Sequence, residues 1–81
     1  MWIRRHDGSL VNIEKYHKID SAKTNNGYEV RAWYDDSRSI LATYEKEQQA
    51  EEAQTAIFCS MRKGDRAMTM PYCITDYGEN V

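Results

Sequence analysis

This 81-residue chain has little of what usually marks a function. It holds two cysteines, one proline and four glycines, and its net charge is only −2. Cys59 and Cys73 form no CxxC pair and have no histidine at metal-ligand spacing, which argues against a zinc site. One such pair could form a single disulfide, but it does not make the disulfide framework of a small secreted domain. Two reduced thiols in a cytoplasmic protein are expected. No apolar run approaches the roughly 18 residues of a membrane-spanning helix. No apolar stretch follows Met1-Trp2-Ile3-Arg4-Arg5, as a secretory signal would require. Basic and acidic residues are interleaved, with Lys15, Lys18 and Lys23 set among Glu14 and Asp20. That pattern gives no concentrated positive field, so non-specific nucleic-acid binding is not expected.

Catalytic and metal constellations are also missing. His6 beside Asp7 could be an oriented general base, but the pair falls in a turn and no motif places a nucleophile near it. Glu45, Glu47, Glu51 and Glu52 lack both the spacing of a calcium loop and the histidines of a zinc or di-iron site. They are expected to solvate a helix. The expectation is a protein that is not an enzyme and needs no cofactor or metal.

What is present is a set of short extended segments followed by one helix. Residues 47–62 contain neither Gly nor Pro, and Ala50, Ala53, Ile57 and Met61 recur at the helical period. That apolar stripe predicts a face buried against the strands, with Gly64 ending the helix and Lys46 standing as a poor cap at its start. Asp7-Gly8 predicts a tight type I′ hairpin between strands at 2–5 and 10–13, and Asn26-Gly27 predicts a second between 17–22 and 28–34. In the 28–34 strand, Tyr28, Val30, Ala32 and Tyr34 point one way, and Glu29, Arg31 and Trp33 the other. Residues 39–44 return with Ile40, Ala42 and Tyr44 on one face, and 66–70 make a last edge strand stopped by Pro71. The expected fold class is α+β: five or six short antiparallel strands in one compact sheet, rolled or half-barrelled, with the helix packed across it. Residues 1–71 make the single domain and 72–81 a mobile tail.

Nine aromatics in so small a domain carry the functional reading. If Tyr28 and Tyr34 face the helix, Trp33 stands on the opposite sheet face two residues from Arg31. Trp and Arg together suit a protein interface, and they also suit stacking on a nucleotide. The competing reading has the Trp2 hairpin cover that face and make Trp33 part of the core. Arg31, Trp33 and Tyr34 are the candidate binding residues.

The opening Met1-Trp2-Ile3-Arg4, Asp7-Gly8 with Leu10-Val11-Asn12, the 28–34 strand, Ile40-Leu41-Ala42-Thr43-Tyr44, Glu45-Lys46-Glu47-Gln48-Gln49-Ala50, Lys63-Gly64-Asp65-Arg66 and Met70-Pro71 together resemble a group of small uncharacterised proteins. That group is frequent in Gram-positive bacteria, their phages and prophages. The resemblance spans residues 1–71 and departs at Lys46, where relatives tend to carry Ser or Asp. It implies a compact antiparallel sheet with one C-terminal helix, and no assigned activity. Small phage proteins of this size commonly bind and block a host protein or sequester a signal molecule. The functional expectation is a non-enzymatic binding module that inhibits a host protein, such as a defence component, with a homodimer in view. The alternative is an oligomeric protein that sequesters a nucleotide or cyclic nucleotide.

Overall fold

The computed structural model of the protein describes residues 1–72, so nearly all of the expected tail, Cys73 included, lies outside the described residues. Among the described residues the chain runs β1 (Trp2–Arg4), β2 (Leu10–Asn12), a 3-10 turn (Ile13–Lys15), β3 (Lys18–Thr24), β4 (Gly27–Tyr34), β5 (Ser37–Tyr44), α1 (Glu47–Lys63) and β6 (Ala67–Thr69). The α+β class is as expected. The strands, however, divide into two three-stranded sheets, ordered β2-β1-β6 and β3-β4-β5, and do not close into a barrel. β6 runs parallel to β1, with Ile3 opposite Met68. A strand that follows a helix rather than a tight turn is free to return in either direction, and this one returns parallel.

The turns explain the strand boundaries. Arg5 and Ser9 close the first hairpin around His6, Asp7 and Gly8, with the Arg5 N–H donating to the Ser9 carbonyl at 2.8 Å. Only Gly8 there has positive φ, so this is a three-residue loop ending on a left-handed glycine rather than the expected type I′ turn. The Asp7 side chain holds it by accepting the Ser9 N–H at 2.9 Å and the Ser9 hydroxyl at 2.6 Å. In the second hairpin Thr24 pairs with Gly27, and Gly27 alone takes positive φ, at 124°. A Cβ at Gly27 would meet the Tyr44 carbonyl oxygen at 2.4 Å, so the next strand approaches too closely for any other residue.

The helix start also departs from the usual form. Lys46 offers no acceptor, but the Gln49 side chain reaches back to take the Lys46 N–H at 3.1 Å. At the other end Gly64 is left-handed, its N–H donates to the Met61 carbonyl, and the Asp65 N–H donates to the Ser60 carbonyl. These two bonds are the Schellman pair, and they satisfy carbonyls the helix leaves open.

One core joins both sheets to the helix. Ile3, Val30, Leu41, Ile57 and Met70 are its largest fully buried side chains, and Ala50 and Ala53 let α1 approach closely. A register shift between Val30 and Arg31 leaves Leu41 as an extra residue in β5, turning Leu41 into the core and Ile40 out to 38% exposure. The strict alternation expected for Ile40, Ala42 and Tyr44 therefore fails at Ile40. Met61, expected in the buried stripe, is 54% exposed, and Tyr34, expected to face the helix, is 50% exposed. Both lie at the ends of their elements, beyond the reach of the packed layer.

Replacing Gly27 by Ala should lower the stability of the fold by about 1–3 kcal/mol, through positive φ and collision with the Tyr44 carbonyl. Urea unfolding of the two proteins measures it. An unchanged midpoint would show that β4 and β5 can move apart at no cost.

Candidate functional site

The sheet β3-β4-β5 has two unlike faces. Cross-strand pairing places Ser21, Val30 and Ala42 in one row, and Ile19, Ala32 and Ser39 in another. These rows look toward α1, whose Gln54 side-chain amide donates to the Ile19 carbonyl at 3.3 Å. The opposite face carries the rows Asp20–Arg31–Ile40 and Lys18–Trp33–Arg38. That face holds two of the three candidate residues, Arg31 and Trp33.

Asp20 organises it. Its carboxylate accepts both prongs of the Arg31 guanidinium, Nε at 3.0 Å and Nη2 at 3.1 Å, and the Trp33 indole N–H at 3.0 Å. Lys18 adds a longer ion pair at 3.7 Å. A forked Arg–carboxylate pair fixes both planes, so the indole is held in one orientation rather than left to rotate. Partial burial works to raise the Asp20 carboxyl, but the hydrogen bonds from Arg31 and Trp33 outweigh it and hold the group below the ordinary aspartate value.

Three cations surround the indole ring. Arg31 Cζ lies 5.1 Å from the ring centroid, Lys18 Nζ 5.7 Å and Arg38 Cζ 5.8 Å. These distances are within the range of cation–π attraction. Trp33 is half-buried and stays outside the core cluster, so the Trp2 hairpin does not make it a core residue. Of the three cations, Arg31 is consumed by Asp20, whereas Arg38 is exposed and makes no ion pair or hydrogen bond among the described residues.

Arg31 and Trp33 thus come together as read from alternation, and Tyr34 does not join them. It turns to the other side of β4, where its ring meets Tyr16 edge-on at 6.4 Å. The sequence reading missed Asp20, Lys18 and Arg38. Counting back from the Thr24–Gly27 pair through an unbroken antiparallel ladder would have put Asp20 opposite Arg31 and Lys18 opposite Trp33.

The remaining chemistry-bearing residues serve structure. The Nε2 of His6 donates to the Pro71 carbonyl at 2.8 Å and lies 3.2 Å from that of Met70, while its ring stacks on Tyr72. Asp7 is bound to Ser9, and the Ser9 hydroxyl holds its carboxyl below the ordinary value. His17 is exposed, and its Nε2 accepts the Asp35 N–H at 3.1 Å, supporting the left-handed Asp35 in the β4–β5 turn. Cys59 is an exposed free thiol. Among the described residues no group of three or more His, Cys, Asp or Glu could hold a metal ion, and no helix is long and apolar enough to cross a membrane.

Stability should carry the signature of Asp20. A carboxyl titrating lower when folded than its unfolded value near 3.9 contributes fully above that pH. The contribution is lost as pH falls through the folded value. Asp20→Asn should cost about 1–2 kcal/mol at neutral pH, because Arg31 loses its charged partner. Its urea midpoint should also fall less steeply than the wild type's on acidification below about pH 4. Parallel acid profiles for the two proteins would contradict this.

Comparison of the chain with protein-family models, with curated proteins and with solved structures finds no match in any of the three.

Proposed function

We propose that this protein is a non-enzymatic binding module whose working surface is the β3-β4-β5 face turned away from the helix, and that it docks there on an acidic surface of another protein. One observation carries the reading: Trp33 is locked by Asp20 in a half-exposed position with three cations around its ring. A large aromatic that is already ordered loses little entropy on binding, and Trp and Arg are the residues that most often dominate interface energetics. Arg38 and Lys18 leave the patch positive beyond the charge Asp20 neutralises, which favours a partner rich in carboxylates. Exposed Ile40 adds an apolar neighbour in the row beside Trp33. The resemblance to phage and prophage proteins makes a bacterial host protein the partner to look for, with inhibition as the outcome of its capture.

A nucleotide is the second reading, and the same geometry supplies its support. An indole face flanked by Lys18 and Arg38 offers stacking and phosphate contact. Arg31 is less suited to a phosphate, since Asp20 occupies its fork.

The test compares wild type with Trp33→Ala and Arg38→Glu in capture experiments from bacterial lysate. A partner bound by wild type should be lost about a hundredfold with Trp33→Ala, the effect of removing a hot-spot aromatic worth about 2–3 kcal/mol. Its capture should weaken with added salt. A partner retained equally by all three proteins would contradict the proposal. Thermal shift against a panel of nucleotides separates the second reading, since a ligand at 100 times its dissociation constant adds about 2.7 kcal/mol of stability. A shift that Trp33→Ala removes would replace the protein partner with a nucleotide.

A further inference from the structure

The outward side of α1 carries a second pattern that the fold does not use. Glu51, Thr55, Phe58 and Arg62 follow one another at spacings of four, three and four, the spacing of a coiled-coil seam, and all four are exposed. Phe58 is 59% exposed, the most open of the large hydrophobic side chains among the described residues, with Met61 beside it at 54%. The Phe58 ring lies 5.8 Å from Arg62 Cζ, and it forms one wall of an open, mostly apolar groove shared with Ile13, Tyr16, His17, Lys18 and Ile19. At about 280 Å³ that groove falls just below the range of small-molecule pockets, and it is suited instead to one or two apolar side chains.

We infer that this helix face pairs with a second copy of the chain, the two helices running antiparallel about a two-fold axis. The order of charges selects this occupant. The midpoint of Glu51 and Arg62 is also the midpoint of Thr55 and Phe58. A two-fold axis through that point sets Glu51 against the second copy's Arg62 at both ends, and Phe58 against the second copy's Thr55 at the centre. An antiparallel seam pairs positions in this way, and an isologous contact requires each pairing to occur twice. A parallel arrangement would instead put Glu51 on Glu51 and Arg62 on Arg62.

The face is narrow. At 1.5 Å per residue a 17-residue helix is about 25 Å long, which makes a contact at the small end of specific interfaces. The dimer is therefore weak and concentration-dependent. It also has a use. Because α1 and Trp33 lie on opposite faces of β3-β4-β5, helix pairing leaves both Trp33 faces outward, so one dimer presents two copies of the surface proposed above. The pairing itself does not depend on that surface being the functional one.

Sedimentation equilibrium of the full chain over a wide concentration range tests the inference. Wild type should fit a monomer–dimer equilibrium. Phe58→Asp should be monomeric with an unchanged circular dichroism spectrum and melting temperature, since that side chain leaves the core untouched. Glu51→Lys and Arg62→Glu should each weaken the dimer about tenfold, because each reversal is felt at both symmetry-related ends. The double variant Glu51→Lys/Arg62→Glu should recover wild-type affinity. Trp33→Ala should dimerise as wild type does, which keeps this result separate from the binding test. A wild type that stays monomeric to millimolar concentration, or a double variant no tighter than the single ones, would overturn the inference.

Discussion

Ile3 sits at the centre of a three-residue strand, and Met70 just past the end of another; both are fully buried together with Leu41 and Ile57. Each such side chain contributes about 1.5–3 kcal/mol when buried. Strands as short as β1, β2 and β6 could not persist by their own ladders, so the small sheet exists because its inward side chains complete a core that β3-β4-β5 and α1 leave open. The rest follows from that shared core. The helix must lie close, which Ala50 and Ala53 permit, and Gly27 must let β4 and β5 meet without a side chain between them.

Concentrating the apolar residues on one side has a consequence for the other. With its inner face spent on the core, the sheet β3-β4-β5 is free to carry charge and an aromatic on its outer face. A half-buried indole near the end of the middle strand would ordinarily sample several rotamers. Here the Asp20 carboxylate, gripped by Arg31, pins the indole nitrogen and leaves the ring among cations. A preformed aromatic platform with surplus positive charge suits the binding function proposed above. Elsewhere His6 secures Pro71 and Asp7 secures its own turn.

Much of this was legible in the sequence where a rule of period applied. Alternation in residues 28–34 placed Arg31 and Trp33 on one face, and the stripe of Ala50, Ala53 and Ile57 placed the helix on the other. The rule failed where the ladder was irregular or ended. The bulge at Leu41 reversed Ile40, and the last turn of α1 carried Met61 past its support. The split into two sheets and the parallel return of β6 depend on contacts between Ile3, Met68 and Met70, separated by most of the chain, and no local pattern encodes them. Asp20 was readable only through register, which hairpin geometry sets and residue type does not.

The central claim is that a protein partner other than a second copy of the chain docks on the Trp33 face. A photoreactive residue placed at position 38, beside Trp33, and separately at position 52, on the solvent side of α1, tests it most directly. The account predicts adducts with such a partner from position 38 alone, whereas adducts between two copies of the chain at position 52 belong to the helix pairing. Adducts of that partner formed from position 52 with equal or greater yield would contradict it.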